Sequence, residues 1–237
     1  MKKSRLLREA HEVWNRTSEP GYHRAWAHWR EGMGEVFWKK RARDHKRRFQ
    51  RIQDLSGKRL GGGFAVEWGV GGGLNLLALH GHFTAFYGID ISEPTLQECC
   101  RRAQEAHVSN FIPVWLDISQ PASALTTVAP GTCAFALSTA CFQHFPSKEY
   151  AAEVVKVLYD MLQPGGLCMI QYRWDDGSRF YAQKDKDYNK SRNCIRFTSH
   201  TIYDFVGICK KAGFEVLSAV NMALANSNYT YLQKSQK

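Results

Sequence analysis

The chain of 237 residues is 44% hydrophobic and 13% aromatic, which is enough to bury a sizeable core and excludes a disordered protein. We expect no transmembrane segment, because no run approaches the roughly 18 apolar residues of a membrane span, and no signal peptide, because the charged start lacks an apolar stretch. The seven cysteines include no CxxC pair, so we expect a reduced, cytoplasmic protein without a disulfide framework or a zinc site.

The net charge of +10 is concentrated near the N-terminus. Residues 1–60 hold 17 Lys or Arg against 7 Asp or Glu, whereas residues 61–237 hold 15 of each. We therefore divide the chain into a basic, aromatic-rich helical extension, 1–60, and a larger domain, 61–237. The basic charges form a solvated helix face or attract an anionic partner, such as nucleic acid, an acidic metabolite or an anionic glycan.

Within the extension, the stretch EVFWKKRARDHKRRFQRIQDLSG predicts a helix from Glu35 that ends at Ser56-Gly57. Apolar residues recur at helical spacing in its second half: Phe49, Ile52 and Leu55. Before this helix, aromatic residues alternate with basic ones in a cluster of Tyr22, His23, Trp26 and Trp29. We interpret the cluster as a lid and acceptor site or, equally, as an aromatic helix packed on a sheet edge.

From residue 64 onward, short apolar runs alternate with helical patterns, which predicts an α/β protein with a parallel sheet. The predicted strands cover 64–68, 84–89, 111–116, 132–137 and 167–172, followed by a closing antiparallel pair, FEVLSAVNM and NYTYLQK. Helices are expected over 74–79, after the capping residues Ser92 and Ser147, and from Thr201 to Gly213. A polar insert, 173–199, follows the fifth strand.

A glycine-rich turn follows the first strand, in the order Glu67-x-Gly69-x-Gly71-x-Gly73. Ligands of open α/β sheets bind at the carboxyl ends of the strands, where this turn lies. A dinucleotide turn would need a third glycine at Leu74. Two more acids end the next strands, Asp90 and Asp117.

An acid, a glycine turn and two further acids at consecutive strand ends resemble the class I S-adenosylmethionine-dependent methyltransferases. The resemblance covers about residues 60–237 and also includes the QPGG before the fifth strand. It implies a Rossmann-like fold with a seven-stranded, mostly parallel sheet whose last strand is antiparallel. Trp68 departs from the family pattern, in which smaller apolar residues are usual.

The resemblance also implies roles for these residues toward the cofactor S-adenosylmethionine. Glu67 would meet the methionyl ammonium, and the backbone at Ser138 would hold the same amine. The glycines would let the backbone approach the methionine and ribose: Gly69, Gly71 and Gly73. Asp90 would accept the ribose hydroxyls, and Asp117 would bind the adenine amino group.

The stretch STACFQHFPSKEY follows the fourth strand and supplies His144, our candidate general base for a hydroxyl acceptor. His144 alternatively anchors the loop or caps the next helix. Motifs typical of adenine amine and cytosine C5 methylation are absent from this stretch. Tyr172 and Arg173 are candidate substrate-binding residues, and Asp175-Asp176 is interpreted as a turn, with no metal expected.

These observations predict O-methylation of a small-molecule or glycan hydroxyl, with an acceptor that can be anionic. Two alternatives stay open. One is an RNA methyltransferase that uses the basic extension to bind nucleic acid. The other is a non-catalytic module that binds S-adenosylmethionine and acts through protein contacts.

Overall fold

A computed structural model describes residues 2–15, 34–178, 182, 184, 188, 194, 197–222 and 227–236. Six α-helices lie within these ranges: α1 Lys2–Trp14, α2 Gly34–Ser56, α3 Leu74–Leu79, α4 Glu93–Glu105, α5 Lys148–Met161 and α6 Ile202–Ala212. The strands of the described sheet are β1 Phe64–Trp68, β2 Ala85–Asp90, β3 Phe111–Trp115, β4 Cys133–Ser138, β5 Leu162–Arg173, β6 Phe214–Met222 and β7 Ser227–Lys234. Short 3-10 turns cover His80–His82, Pro121–Thr126 and Phe142–His144.

The seven strands form one sheet in the order β3-β2-β1-β4-β5-β7-β6. Strands β1 to β5 pair in parallel, whereas β7 runs antiparallel to both β5 and β6. The predicted seven-stranded, mostly parallel sheet with an antiparallel last strand is confirmed. Because β7 is reversed, its first residue, Ser227, lies opposite Arg173 at the end of β5. The start of β7 thus joins the edge formed by the carboxyl ends of the parallel strands.

Three helices begin at side-chain caps, and the sequence predicts two of these caps, Ser92 and Ser147. Ser92, Ser147 and Thr201 each accept a hydrogen bond from the backbone N–H three residues later, at 3.1–3.3 Å. Such a cap stabilises a helix by about 1 kcal/mol. These caps fix where α4, α5 and α6 leave the sheet edge.

Both faces of the sheet are covered, as the alternation along β1 shows. Val66 and Trp68 join one apolar cluster, whereas Ala65 joins the other. The first cluster includes three residues of α1, namely Leu6, Ala10 and Val13, and the second includes Phe49 and Ile52 of α2. Helices of the basic extension are therefore packed into the cores on opposite faces of the sheet.

Two expectations are corrected by the structure. Strand β5 begins at Leu162 rather than at Leu167, because the QPGG segment continues the strand through an irregularity instead of ending α5 in a turn. A proline is tolerated at such an interruption of the ladder. Leu55 is 39% exposed, so the buried face of α2 is carried by Phe49 and Ile52 without it.

No helix among the described residues is both long and apolar enough to cross a membrane.

Candidate active site

The glycine turn connects β1 to α3 in a backbone conformation that favours glycine. Its φ angles are 74° at Gly69, 53° at Gly71 and 80° at Gly73, all left-handed. A Cβ on Gly69 would collide with the side chain of Cys141, and one on Gly73 would lie 2.9 Å from Cys99 Sγ. At these two positions, backbone conformation and packing within the chain already require glycine.

The carboxylate of Asp90 ties this turn to the end of β2. Its Oδ2 accepts a hydrogen bond from the Gly71 N–H, and its Oδ1 accepts one from the Ser92 N–H, both at 3.0 Å. Burial raises the pKa of Asp90, and these backbone hydrogen bonds act in the opposite direction. Each oxygen retains a second lone pair for a ligand hydroxyl.

Glu67, near the end of β1, is buried beneath the turn. Its Oε1 accepts a 2.5 Å hydrogen bond from Asn75 Nδ2, whereas Oε2 is buried with no partner. Burial raises the pKa of Glu67 well above its usual range, and repulsion from Asp90 adds to this effect. An unpartnered, buried carboxyl oxygen suits a cationic ligand group. The positive charge of such a group stabilises the ionised carboxylate in place of the water that burial removes.

Three polar residues that the sequence analysis missed extend from Glu67: Asn75, Thr139 and His45. Asn75 also donates to Thr139 Oγ1 at 2.8 Å, and its Oδ1 lies 2.5 Å from His45 Nδ1. Asn75 and Thr139 carry no sequence signal of their own. His45 has one, since it lies four residues before Phe49 and seven before Ile52, on the buried face of α2.

Ser138 and Asp117 occupy different environments at the ends of their strands. Ser138 is fully buried, and its hydroxyl donates to the Trp68 carbonyl at 2.8 Å, which joins β1 to β4. Asp117 follows β3 and accepts the Ser119 N–H at 2.8 Å, which lowers its pKa, with a further contribution from His11 of α1. The hydroxyl of Ser138 is thus already hydrogen-bonded within the protein, whereas Asp117 lies half-buried at the sheet edge.

His144 lies in the 3-10 turn after β4, under the end of α1. Its Nδ1 is 2.9 Å from the Cys194 carbonyl oxygen, and only a protonated nitrogen can donate to that oxygen. The neutral ring therefore carries its lone pair on Nε2. The Trp14 indole packs against the imidazole, and the Trp14 Nε1–H donates to Tyr188 Oη at 2.9 Å.

Tyr172, a candidate substrate-binding residue, is buried in the core. Its ring stacks on Phe205 with centroids 3.9 Å apart, its hydroxyl accepts from Asn228 at 3.2 Å, and burial raises its pKa to about 12. Its neighbour Arg173 is also buried, at the last position of β5.

Tyr22, His23, Trp26 and Trp29 lie outside the described residues. Asp175 and Asp176 accept the N–H groups of Gly177 and Ser178, as in a turn. Within the part of the chain that the structure describes, no group of three His, Cys, Asp or Glu residues could hold a metal ion.

The strand order, with a glycine turn after β1 and acids at successive strand ends, is that of the class I S-adenosylmethionine-dependent methyltransferase fold. A family model described as a methyltransferase domain matches residues 66–170, a range that includes Glu67, the glycine turn, Asp90 and His144. This range is therefore identified as a methyltransferase domain, and the cofactor is S-adenosylmethionine. The residues at the site fit this cofactor: they offer an unpartnered acid, a left-handed glycine turn and an acceptor carboxylate.

Solved structures of low sequence identity share the fold. Magnesium protoporphyrin IX methyltransferase from Synechocystis PCC 6803, with bound S-adenosylhomocysteine, is 16% identical with a TM-score of 0.66 over 97% of this chain and 100% of that one. Phosphoethanolamine N-methyltransferase 2 of Haemonchus contortus is 16% identical with a TM-score of 0.66 over 97% of this chain and 61% of that one. An S-adenosylmethionine-dependent methyltransferase from Clostridium acetobutylicum is 10% identical with a TM-score of 0.60 over 79% and 89%. No curated protein matches the sequence.

Proposed function

We propose that the protein methylates a hydroxyl group of a small molecule or glycan unit, with His144 as the general base. The observation that carries this proposal is the hydrogen bond from His144 Nδ1 to the Cys194 carbonyl at 2.9 Å. It fixes the neutral tautomer in which Nε2 can accept a proton. A neutral alcohol needs such a base, because it is a poor nucleophile until its proton is removed.

In this proposal the cofactor lies across the carboxyl ends of β1, β2 and β4. When bound, S-adenosylmethionine supplies a methyl group on a sulfonium centre. Glu67 and the Ser138 backbone hold the amino-acid end, and Asp90 and Asp117 hold the ribose and adenine. Gly69, Gly71 and Gly73 shape the backbone beneath it. The main task of the protein is then to hold the acceptor oxygen in line with the methyl group.

The acceptor site is proposed to lie between the N-terminal extension and the insert 173–199. Tyr22, His23 and Trp26 would form one wall, and Arg173 would contribute to the other. Tyr172 would support this wall from the core through its stacking on Phe205.

The named neighbours support a small-molecule acceptor without specifying a hydroxyl. The Synechocystis enzyme is a magnesium protoporphyrin IX methyltransferase, and the Haemonchus contortus enzyme is in complex with phosphomonomethylethanolamine, which carries a phosphate. The basic extension of this chain is compatible with an anionic acceptor of that kind. A cytoplasmic location is proposed because the seven cysteines, all within the described residues, are in the thiol form.

RNA methylation is a second candidate, favoured by the outer face of α2. Exposed cations cover that face: Lys39, Lys40, Arg43, Lys46, Arg47 and Arg51. Nucleic-acid binding through such a face would weaken steeply as the salt concentration rises.

Labelled S-adenosylmethionine, incubated with the protein and separate pools of metabolites, glycans and RNA, tests these proposals. We expect label on an oxygen of a small molecule or glycan, located by mass spectrometry. Label on RNA, with binding that weakens between two salt concentrations and in an Arg43→Glu/Lys46→Glu variant, would favour the second candidate. Cofactor binding with no S-adenosylhomocysteine formed from any pool would favour a non-catalytic module.

A further inference from the structure

A buried chain of hydrogen bonds runs from the basic extension to the acid at the end of β1. His45 of α2 contacts Asn75 Oδ1 at 2.5 Å, and Asn75 Nδ2 contacts Glu67 Oε1 at 2.5 Å and Thr139 Oγ1 at 2.8 Å. His45, Asn75, Glu67 and Thr139 are at most 5% exposed. The chain therefore links α2, α3, β1 and the end of β4 beneath the glycine turn.

The direction of each hydrogen bond follows from the groups involved. The amide nitrogen of Asn75 donates toward both Glu67 and Thr139, so its carbonyl oxygen is left to accept. The partner of that oxygen is His45 Nδ1, which must carry a proton. Burial, together with the nearby Arg41 and Arg48, lowers the pKa of His45 to about 4, while the hydrogen bond with Asn75 acts in the opposite direction. The imidazole is therefore neutral near pH 7, and its single N–H is directed at Asn75.

This N–H determines which way the Asn75 amide faces. Without it, the amide could turn over and present its oxygen to Glu67, and the two oxygens would repel each other when Glu67 is ionised. With it, the amide nitrogen stays on Glu67 Oε1, and the unpartnered Oε2 remains available. Burying a polar imidazole costs free energy that an apolar side chain of similar size would avoid. Orienting the Asn75 amide gives a reason for a histidine at this position. Phe49 and Ile52 already supply the apolar packing of this helix face.

We infer that His45 is a positioning residue for the amino-acid end of the cofactor, acting through Asn75 on Glu67. The inference rests on the proposed contact between Glu67 and the methionyl ammonium. It assigns a part of the basic extension to the cofactor site, in addition to any role toward the acceptor.

The test compares two ligands that differ at the amino-acid end. S-adenosylhomocysteine carries the ammonium, whereas 5′-methylthioadenosine lacks the amino-acid portion. We expect His45→Leu to weaken S-adenosylhomocysteine binding by about tenfold or more, and to change 5′-methylthioadenosine binding by less than about twofold, as measured by calorimetry. His45→Asn keeps an N–H near the position of Nδ1 and should recover most of the lost affinity, while His45→Gln should not.

Ile52→Val serves as the matched control, because it alters packing on the same helix face without touching the hydrogen bonds. It should leave both affinities unchanged. Equal loss for both ligands in His45→Leu, or no loss, would overturn the inference. If His45→Leu fails to fold, equal affinities of His45→Asn and His45→Gln for S-adenosylhomocysteine would overturn it instead. The proposed contact between Glu67 and the cofactor ammonium is tested separately. Unchanged S-adenosylhomocysteine binding in Glu67→Gln would show that this contact is absent.

Discussion

The indole ring of Trp14 packs on the imidazole of His144, with centroids 4.7 Å apart and planes inclined by 57°. The contact joins the end of α1 to the turn after β4. Tyr188 reinforces it, because its hydroxyl accepts from Trp14 and donates to the His144 carbonyl at 2.5 Å. The position of the candidate base thus depends on the first helix of the chain.

Replacing the candidate base should strongly lower turnover without loss of cofactor binding. General base catalysis typically contributes 10²–10⁴-fold, so we expect His144→Ala to lower turnover by about a hundredfold or more. S-adenosylhomocysteine affinity, measured by calorimetry, should stay within about twofold. The rate of the unaltered protein should rise with pH as the base loses its proton, and the variant should lack this rise. Unchanged turnover would place the base elsewhere, or show that the acceptor needs none.

The Trp14–Tyr188 contact should stabilise the fold measurably. Tyr188→Phe removes two hydrogen bonds and should cost about 2 kcal/mol, which lowers the melting temperature by about 4–8 °C in a protein of this size. Trp14→Phe should cost less, and the double variant should be less destabilised than the sum of the two. Tyr203→Phe is the control, since Tyr203 is 89% exposed and should have no effect. Strict additivity would show that the two side chains act independently.

Loss of the carboxylate of Asp90 should weaken cofactor binding. Hydrogen bonds to a charged group contribute roughly 1.5–3 kcal/mol each, so Asp90→Ala should reduce S-adenosylhomocysteine affinity at least about tenfold. Ser92→Ala removes the neighbouring helix cap and should lower stability by about 1 kcal/mol while leaving affinity unchanged. A folded Asp90→Ala variant with full affinity would exclude a ribose contact at this carboxylate.

Glu67 should make cofactor binding and stability respond to pH in opposite directions. Its pKa is raised by burial, so between its unfolded and folded pKa values the folded protein holds more protons, and the free energy of unfolding falls as pH rises. A bound ammonium favours the ionised carboxyl, so affinity should increase with pH and binding should release a proton. Calorimetry in two buffers of different ionisation enthalpy measures that proton.

The variant Glu67→Gln separates these two effects. It keeps an oxygen to accept from Asn75 but cannot ionise. We expect weaker S-adenosylhomocysteine binding, no proton release, and a higher melting temperature than the unaltered protein at alkaline pH. Proton release that persists in this variant would assign the titration to another group.

The sequence predicts the fold well because the apolar runs and caps are local signals. Ser92 and Ser147 could each be identified as caps from the residues around them. The start of β5 could not be predicted, since Pro164 and Gly165 are typical of turns and only pairing with β4 extends the strand through them. The burial of Tyr172 was missed for a related reason, because both faces of β5 are covered and alternation carries no information.

The candidate site was predicted less completely than the fold. The acids and glycines at strand ends could be recognised, because each of these signals lies within one short segment of the sequence. The contact of His45 with Asn75 joins residues 30 positions apart, and α2 reads as a basic, solvated helix unless its buried face is identified.

The position of α1 has a consequence for how the protein folds. The Trp14–Tyr188 hydrogen bond spans 174 positions, so Trp14 obtains this partner only after the chain has been made through Tyr188. The apolar side chains of Leu6, Ala10 and Val13 also pack with residues far along the sequence, and such long-range contacts form after local ones. Within the described sheet, strand β6 is joined only through β7, which follows it in the sequence. Both α1 and β6 therefore settle late, and a translation product interrupted before β6 would retain an incompletely packed apolar helix and an unpaired edge on β5, two surfaces through which incomplete chains aggregate.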